Sequence, residues 1–448
     1  MIVARTAAIA LFMLTAACGG DKAEDAETPT PSAPSEAATV PADVSIIGID
    51  DIAERFVKLA LGVGLHDAAF VDAYHGPDAW EADVDAASPA LADLETEARD
   101  LIEALEVISY QAEGDARQKM LAKNLTAALT RIRMAKGEEF SFDEETRLLY
   151  DATAPTYDVG EFDAALALIE RLLPGDGALS ERVDAFRESL AIPEEKLEAV
   201  FAAAIEECRA RTIKHFNLPD NERFSTGYVT DKPWSGYNWY QGDFESLIEV
   251  NTDLPVIIDR AVDLGCHEGY PGHHTWNVLI ERNLLSGEGW IEYSVYPLFS
   301  PQSLIAEGSA NYGIELAFPG DEKVAFERDV LFPLAGLDPA KAETLADLKK
   351  ATQQLSHSRN HVARLYLDGE IGRDEAIDMT MKYSLVSRER AEKSVSFIDT
   401  YRGYVINYNL GRDLVRDHVE RKVAAGEDAW TAFKAILETP TAASDLAN

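Results

Sequence analysis

HEGYPGHH, residues 267–274, is the stretch of the sequence that says most about how the chain folds. The 448-residue chain has nine histidines, and three of them lie in this stretch. His267 is followed directly by Glu268, the order seen in HExxH helices, where the histidine binds zinc and the glutamate acts as general base. The second histidine of that pattern stands at i+4 on the same helical face, but Pro271 occupies this position here. The stretch therefore predicts a metal-binding helix that is interrupted in its middle.

The second ligand follows from the helical geometry. In an unbroken helix His274 would lie about 10.5 Å along the axis from His267, and His273 would point about 120° away from it. Neither placement suits two nitrogens that bind one zinc ion at about 2.0 to 2.1 Å. Pro271 removes an amide donor and Gly272 tolerates unusual dihedral angles, so a helix kinks or bulges there. We therefore expect His267 and His273 to be the ligands, with His274 as a rival ligand or as a residue that supports one.

A third ligand is expected on the next helix. Residues 304–318, LIAEGSANYGIELAF, have a helical pattern that carries Glu307. A catalytic zinc site has three protein ligands and leaves the fourth position to water. A lone helix glutamate is ordinarily a solvated surface group, but its place after HEGYPGHH favours the ligand role. Asn311, one turn further on, is a candidate to orient a ligand histidine, and Tyr312 is a further candidate neighbour.

The segment before the motif favours a buried site. Residues 254–265, LPVIIDRAVDLG, predict a buried helix that leads into His267. The alternative is that HEGYPGHH forms a polar loop with clustered histidines. Polar residues at the end of an apolar helix favour a buried metal site instead. We expect one Zn²⁺ ion there.

Several stretches together resemble a known family. HEGYPGHH, EGSANY (307–312) and YVINYNLGRDLV (404–415) are similar, in order and spacing, to bacterial proteins of the domain of unknown function 885 family. HDAAFVDAYHGP (66–77) and KPWSGYNWYQG (232–242) are also family-like. The resemblance implies a mostly helical fold, a distant branch of the gluzincin metallopeptidases. It also implies that Tyr408 faces the site. Ser309 stands where the family often has Trp, which alters the nearby pocket.

The resemblance and the motif together predict zinc-dependent hydrolysis of peptide bonds. Glu268 is expected to activate the attacking water as general base, and Tyr408 to donate a hydrogen bond to the oxyanion. Arg402 or Arg412 is a candidate to hold a substrate carboxylate. One alternative is a lipoprotein without turnover that binds peptides or cell-wall fragments. Binding of both His273 and His274 would favour it, because four protein ligands close the water position. The other alternative is a metal-dependent amidase or esterase that acts on non-peptide substrates.

Composition and periodicity indicate a mainly α protein. The chain has 41 basic and 79 acidic residues, a net charge of -38, which argues against nucleic acid or an anionic membrane surface as partner. No internal stretch approaches the roughly 18 to 20 apolar residues of a transmembrane helix. Apolar residues recur at i, i+3 and i+4 in the segments 51–64, 87–113, 115–137, 162–173, 179–189, 193–216, 322–337, 341–367 and 373–386.

One segment predicts strands. Residues 224–251 are rich in Gly, Tyr and Trp with alternating character, and turns at 231–233 and 241–243 fit short hairpins. We expect a small β-sheet edge beside the zinc helix that holds an extended peptide by strand addition. Tyr237, Trp239 and Tyr240 are candidates to line its subsites, with a role in the core as the alternative.

The N-terminus indicates export. Met1 to Ala17 has an apolar run that ends at Cys18, and LTAAC resembles a bacterial lipoprotein signal. We expect Cys18 to be lipidated and to anchor the protein to the outer membrane, facing the periplasm; a plain secretory signal cleaved near Ala17 is the alternative. Residues 18–43 predict a disordered acidic tether rich in Pro, Ala, Ser and Thr. Residues 44–448 predict a single catalytic domain, with a helical layer (44–223) and a second part (224–448) that carries the strands, the zinc helices and the C-terminal helices.

Two smaller features complete the predictions. Cys208 and Cys266 are expected to be buried free thiols rather than a disulfide. His357 and His361 stand four residues apart, but we expect a solvated or supporting role for them rather than a second metal site.

Overall fold

The chain folds mainly into α-helices, which confirms the predicted fold class. The structure is a computed structural model that describes residues 48–111, 115–232 and 236–447. The predicted leader, Cys18 and tether lie outside these residues. The helices, in chain order, are α1 (Ile49–Gly64), α2 (Asp78–Ala87), α3 (Leu91–Gln111), α4 (Ala116–Ala135), α5 (Phe142–Tyr150), α6 (Val159–Leu172), α7 (Leu179–Glu188), α8 (Leu197–Thr212), α9 (Asp259–Leu264), α10 (His273–Ile280), α11 (Pro301–Ala317), α12 (Glu322–Phe326), α13 (Phe332–Ala335), α14 (Ala342–Gln354), α15 (Ser358–Leu367), α16 (Arg373–Ser384), α17 (Arg388–Tyr401), α18 (Ile406–Ala424), α19 (Ala429–Glu438) and α20 (Ala443–Leu446).

The N-terminal helices pack as the apolar spacing predicts. In α1 the side chains of Ile52, Phe56 and Val57 are fully buried, so one apolar face lies against α3 and α4. The segment 87–113, predicted as one helix, forms α3 only from Leu91 onward, whereas Ala87 is the last residue of α2. Ser88 takes a left-handed conformation with φ of 42°, and the following proline disfavours helical dihedral angles at the residue before it.

Helices α11 and α18 cross at very short range and position the site. The contact is built on two glycines, Gly308 in α11 and Gly411 in α18. A Cβ on Gly308 would lie 2.4 Å from the carbonyl carbon of Gly411. Because only a residue without a side chain allows such an approach, this crossing holds Glu307 against the start of α18.

Two small sheets accompany the helices. Strand β1 (Val71–Tyr74) pairs antiparallel with β5 (Val295–Pro297). Strands β2 (Arg223–Val229), β3 (Gly236–Gly242) and β4 (Glu245–Asn251) form the second sheet in the order β2-β4-β3. Strand β3 therefore lies at one edge of this sheet.

One of the two predicted hairpins is wrong. Strands β3 and β4 form an antiparallel pair, joined by a turn in which Gly242, Asp243 and Phe244 have positive φ. Strands β2 and β3 do not form a hairpin, because β4 lies between them and pairs in parallel with β2; residue 233 of the predicted turn lies outside the described residues. Alternating residues predict each strand, but they carry no information on the order of the strands in the sheet.

The apolar segment before the motif is less helical than predicted. Only Asp259–Leu264 forms helix α9, and Leu254 is exposed. Pro255 disfavours helical dihedral angles at the residue before it, and Ile257 forms an isolated bridge with Ala191. Within α9, Ala261 and Val262 are fully buried in a core shared with α8.

The prediction of free thiols is wrong, because Cys208 and Cys266 form a disulfide. Cys208 lies in α8, and Cys266 lies just beyond α9. Helices α8 and α9 pack against each other. The two Cα atoms are 5.5 Å apart, a separation typical of disulfides. Among the described residues, no helix combines the length and the apolarity needed to cross a membrane.

Candidate metal centre

The backbone of HEGYPGHH breaks where Pro271 predicts it. After α9 the chain makes a π-helical turn at Gly265–Gly269, and Tyr270 is extended with φ of -121° and ψ of 120°. The Tyr270–Pro271 peptide bond is cis, and α10 starts at His273. The predicted interruption is therefore present, but as a complete break between two helices rather than as a bulge in one.

Gly272 allows the two halves of the break to meet. Its amide nitrogen donates a hydrogen bond to the carbonyl oxygen of Cys266 at 3.0 Å. A Cβ at this position would lie 1.8 Å from the carbonyl oxygen of His267, which no side chain tolerates. The glycine thus folds the start of α10 back onto the π-helical turn.

Three donor groups converge as a result. The Nε2 atoms of His267 and His273 are 3.2 Å apart. Glu307 comes from α11, with Oε2 3.5 Å from Nε2 of His267 and Oε1 3.9 Å from Nε2 of His273. Two donors that bind zinc tetrahedrally at about 2.0 to 2.1 Å are about 3.3 Å apart. The donor set and its spacing therefore fit one zinc ion.

The hydrogen bonding of Glu307 also fits a cation. Its Oε2 atom is buried and has no hydrogen-bond partner among the described residues. Buried polar atoms are nearly always satisfied by a partner, so each exception calls for an explanation. A cation between Glu307 and the two histidines would satisfy this oxygen.

Burial and mutual charge set the protonation of the three groups. Burial lowers the pKa of His273 to about 4, and the charge of His267 adds to this effect. Burial also acts to raise the pKa of Glu307, but the interactions with His267 and His273 outweigh it, and the pKa falls below its usual value. For His267, burial is outweighed by Glu307 and Glu268, and the pKa rises. A neutral His273 and an ionised Glu307 are the forms that bind a metal.

Glu268 lies beside this cluster. Its side chain is buried, and one carboxylate oxygen is within 4.8 Å of ring nitrogens of both His267 and His273. Burial raises the pKa of Glu268 to about 7; the charge of His267 opposes this rise and that of Glu307 adds to it. A general base is most effective when its pKa is close to the working pH. Glu268 therefore has both the position and the basicity that proton transfer requires.

His274 does not join the cluster. Consecutive residues of a helix point about 100° apart, and the fully buried side chain of His274 lies against β4. Its Nδ1 atom is 2.8 Å from Oγ of Ser246, and its Nε2 atom is 3.0 Å from Oε2 of Glu222. Both ring nitrogens are engaged, so His274 anchors α10 to the sheet, and its role as rival ligand finds no support.

Tyr404, which precedes α18, contacts Glu307, and Tyr408 in the first turn of α18 packs against Tyr404. The hydroxyl of Tyr404 donates to Oε1 of Glu307 at 3.1 Å, and the rings of Tyr404 and Tyr408 are 5.7 Å apart. Burial raises the pKa of Tyr408, and the charges of Glu307 and Glu268 raise it further. Sequence reasoning did not identify Tyr404. The available signal was its place one helical turn before Tyr408.

Asn311 and Tyr312 do not orient the ligand histidines. The Asn311 amide donates to the carbonyl oxygens of Glu307 and Tyr408, which ties α11 to α18. Tyr312 packs against Phe433, with ring centroids 5.9 Å apart. Asn311 therefore supports the crossing of α11 and α18, whereas Tyr312 packs α11 against α19.

The aromatic residues of β3 differ in their relation to the site. The Tyr237 hydroxyl donates to Asp72 at 2.5 Å. Burial raises the pKa of Tyr237, and the charges of Asp72 and Glu268 raise it further. Tyr237 therefore lies near the centre. Trp239 is 41% exposed, and Tyr240 donates to Glu281. Asp72 was missed, although it lies within the family-like stretch of residues 66–77.

The two arginines that were expected to bind a substrate carboxylate form ion pairs with carboxylates of the protein. Nε of Arg402 is 2.6 Å from Oε2 of Glu145. Arg412 is 2.8 Å from Asp413 and 3.9 Å from Glu315. Neither guanidinium is therefore available for a substrate carboxylate in this arrangement.

A second metal cluster is not found in the described part of the chain. Nε2 of His357 is 2.6 Å from Oδ2 of Asp413, and the His361 ring packs 6.1 Å from that of Phe162. These contacts engage both side chains within the protein.

Comparisons with known proteins bear on the fold. No protein-family model matches the sequence, so the resemblance to the domain of unknown function 885 family stays a prediction. No curated protein matches the chain either. Among solved structures, the chain is similar to the crystal structure of "the putative lipoprotein from Colwellia psychrerythraea", with a TM-score of 0.53 and 15% identity over 80% of this chain and 68% of that one. At this identity the similarity shows a shared fold alone.

Proposed function

We propose that the protein is a metal-dependent hydrolase that cleaves peptide bonds. The observation that carries this proposal is the convergence of His267, His273 and Glu307 within 4 Å of one another, beside the buried Glu268 with a pKa near 7. Burying these groups together without a ligand is costly, because it leaves Oε2 of Glu307 without a partner. The combination matches what metal-assisted hydrolysis requires.

Each group has a distinct role in the proposed reaction. A zinc ion, when bound, supplies a Lewis acid and lowers the pKa of a coordinated water towards about 7. Glu268 accepts a proton from the attacking water and returns it to the leaving amine. Tyr408 donates a hydrogen bond to the oxyanion that develops on the scissile carbonyl. Tyr404 positions Glu307 through the hydrogen bond to Oε1.

The edge strand β3 is the proposed platform for the substrate. In the described sheet β3 pairs only with β4. The side-chain Nδ2 atom of Asn238, in β3, donates to the carbonyl oxygen of Glu268 at 2.6 Å, so the strand runs beside the centre. An extended peptide can add to such an edge through main-chain hydrogen bonds, and Tyr237 is placed to line a subsite. This arrangement resembles that of the gluzincins.

We also propose that the protein works in the bacterial cell envelope, anchored through Cys18. The lipoprotein-like signal at the N-terminus supports this location, as does the similarity to a structure described as a lipoprotein. The Cys208–Cys266 disulfide supports it as well, because disulfides persist in oxidising compartments such as the periplasm.

A second candidate function is peptide binding around a structural metal. Glu268 is near enough to the two histidine nitrogens to count among the metal-ligating groups. If it bound the metal as a fourth protein ligand, it would close the position that water needs.

The variant Glu268→Gln distinguishes the two candidates. If Glu268 is the base, the variant keeps one metal per chain and its fold, but loses about 10² to 10⁴-fold in hydrolysis of a peptide library. Elemental analysis by mass spectrometry measures the metal, and product formation measures the activity. Glu389→Gln, a change of an exposed glutamate of α17, is the matched control and should behave as wild type. Full hydrolysis by Glu268→Gln would refute its role as base, and loss of the metal would favour the structural candidate.

A further inference from the structure

Arg359, the second residue of α15, is a partly buried cation without a counter-ion among the described residues. Its Nε atom is buried and has no hydrogen-bond partner within the described residues. In the same ranges, no carboxylate lies within ion-pair distance of its guanidinium. The group instead lies between two aromatic side chains, with its central carbon 4.6 Å from the ring centroid of Phe397 and 5.9 Å from that of Tyr408.

This isolation is unusual in so acidic a chain. Acidic residues outnumber basic ones by 79 to 41, and other arginines near the site, Arg402 and Arg412, bind protein carboxylates. Removing a cation from water without a partner is costly. Burial accordingly lowers the pKa of the Arg359 guanidinium. A partly buried cation whose Nε atom has no partner among the described residues fits a ligand that supplies the missing negative charge.

A short series of contacts connects Arg359 with the candidate metal centre. The guanidinium faces the ring of Tyr408, and the rings of Tyr408 and Tyr404 are 5.7 Å apart. The hydroxyl of Tyr404 in turn donates to Glu307 at 3.1 Å. Arg359 thus belongs to the same polar interior as the proposed metal ligands.

We propose that Arg359 binds the C-terminal carboxylate of the peptide substrate and makes the enzyme a carboxypeptidase. This proposal rests on the proposed hydrolytic function. The planar guanidinium presents parallel N–H donors that match a carboxylate, and the neighbouring aromatic faces hold its plane by stacking. A chain of net charge -38 repels acidic substrates as a whole. A single cation beside the proposed metal centre therefore attracts a carboxylate at one defined place only.

Three peptide libraries of equal length test the proposal, all N-acetylated. The first has a free C-terminus and no acidic side chains, the second is the same library amidated, and the third is amidated and contains glutamate. The wild-type enzyme should cleave the free-acid library at least about tenfold faster than either amidated one, since a hydrogen bond to a charged group contributes about that much. Products released from the free-acid library should be C-terminal fragments of uniform length.

Variants of Arg359 assign this preference to the residue. Arg359→Gln should raise KM for the free-acid library about 10- to 100-fold with a smaller change in kcat, because the carboxylate is bound equally in the ground and transition states. It should change cleavage of the amidated libraries little. Arg359→Lys keeps the charge but not the planar fork, so it should restore part of the loss. Arg388→Gln, on the exposed surface of α17, is the matched control and should resemble wild type.

The results separate failure of the inference from failure of the proposed function. Equal wild-type cleavage of the free-acid and amidated libraries would overturn the role of Arg359 and leave hydrolysis intact. A preference for the amidated glutamate library that depends on Arg359 would assign the residue to a side-chain carboxylate and also overturn the proposal. If the metal-loaded wild-type enzyme cleaves none of the libraries, the proposed function fails and the inference fails with it.

Discussion

Glu222 gives a prediction whose size follows from the structure. Its side chain is only 1% exposed, and it accepts hydrogen bonds from Tyr270, Arg209 and His274. Burial acts to raise the pKa of Glu222, but these interactions outweigh it and lower the pKa to about 2. Because Tyr270 and His274 belong to the HEGYPGHH stretch, Glu222 fixes this stretch through two residues that are not among the proposed metal ligands.

The lowered pKa sets both the magnitude and the pH window of the effect. One pKa unit corresponds to about 1.36 kcal/mol, so a fall from the ordinary 4.5 to about 2 corresponds to about 3 kcal/mol. The ionised form is favoured in the folded state. Its contribution to stability is therefore complete above the unfolded-state value of 4.5 and disappears as the pH falls towards 2. Glu222→Gln keeps the size of the side chain and removes the charge.

Urea unfolding of wild type and Glu222→Gln at several pH values between 7 and 3 measures this contribution. We expect the variant to be about 3 kcal/mol less stable at pH 7 and the difference to shrink below pH 4.5. Glu389→Gln, whose side chain is 77% exposed, is the control and should differ from wild type by less than about 0.5 kcal/mol. A difference for Glu222→Gln that is small at pH 7, or that stays constant down to pH 3, would refute the reasoning.

Three further predictions concern the surroundings of the centre. Tyr404→Phe removes the hydrogen bond to Glu307 and should weaken metal binding about tenfold, as measured by competition with a chelator. The control is Tyr366→Phe, which removes a surface hydrogen bond to Asp399 and should leave metal binding unchanged. Tyr408→Phe should lower kcat about 10²-fold with little change in KM, and an unchanged kcat would exclude Tyr408 as the oxyanion donor. Replacing both Cys208 and Cys266 by Ala removes a disulfide whose cysteines are 58 residues apart in the sequence. The free energy of unfolding should fall by up to about 4 kcal/mol. An unchanged urea midpoint would contradict a stabilising disulfide.

Local patterns predicted those parts of the fold that depend on local physics. The apolar spacing of α1 predicts its buried face, and the alternating character of residues 245–251 predicts strand β4, whose Ile248 and Val250 point into the core. The sequence also contains a signal for the break between α2 and α3, because Ser88 precedes a proline and helical dihedral angles are disfavoured there. Helix α2 itself was not predicted, since the expected helix begins at Ala87, the last residue of α2.

Other features depend on contacts that sequence spacing does not encode. The parallel pairing of β2 with β4 and the Cys208–Cys266 disulfide both require segments far apart in the chain to meet. The choice of His273 over His274 depends on the backbone path through the helix break, which spacing alone left open. Arg359 could not be distinguished from other arginines, because what marks it is the absence of a carboxylate partner among the described residues.

The most direct test of the proposed centre is hydrolysis of a peptide library as zinc is returned to chelator-treated protein. If His267, His273 and Glu307 hold one catalytic ion, activity should rise in proportion to added zinc and saturate at one equivalent per chain. Glu307→Ala should fail to recover activity at that ratio. Full hydrolysis by the zinc-free protein, or one equivalent of zinc bound at this site without any hydrolysis, would contradict the account.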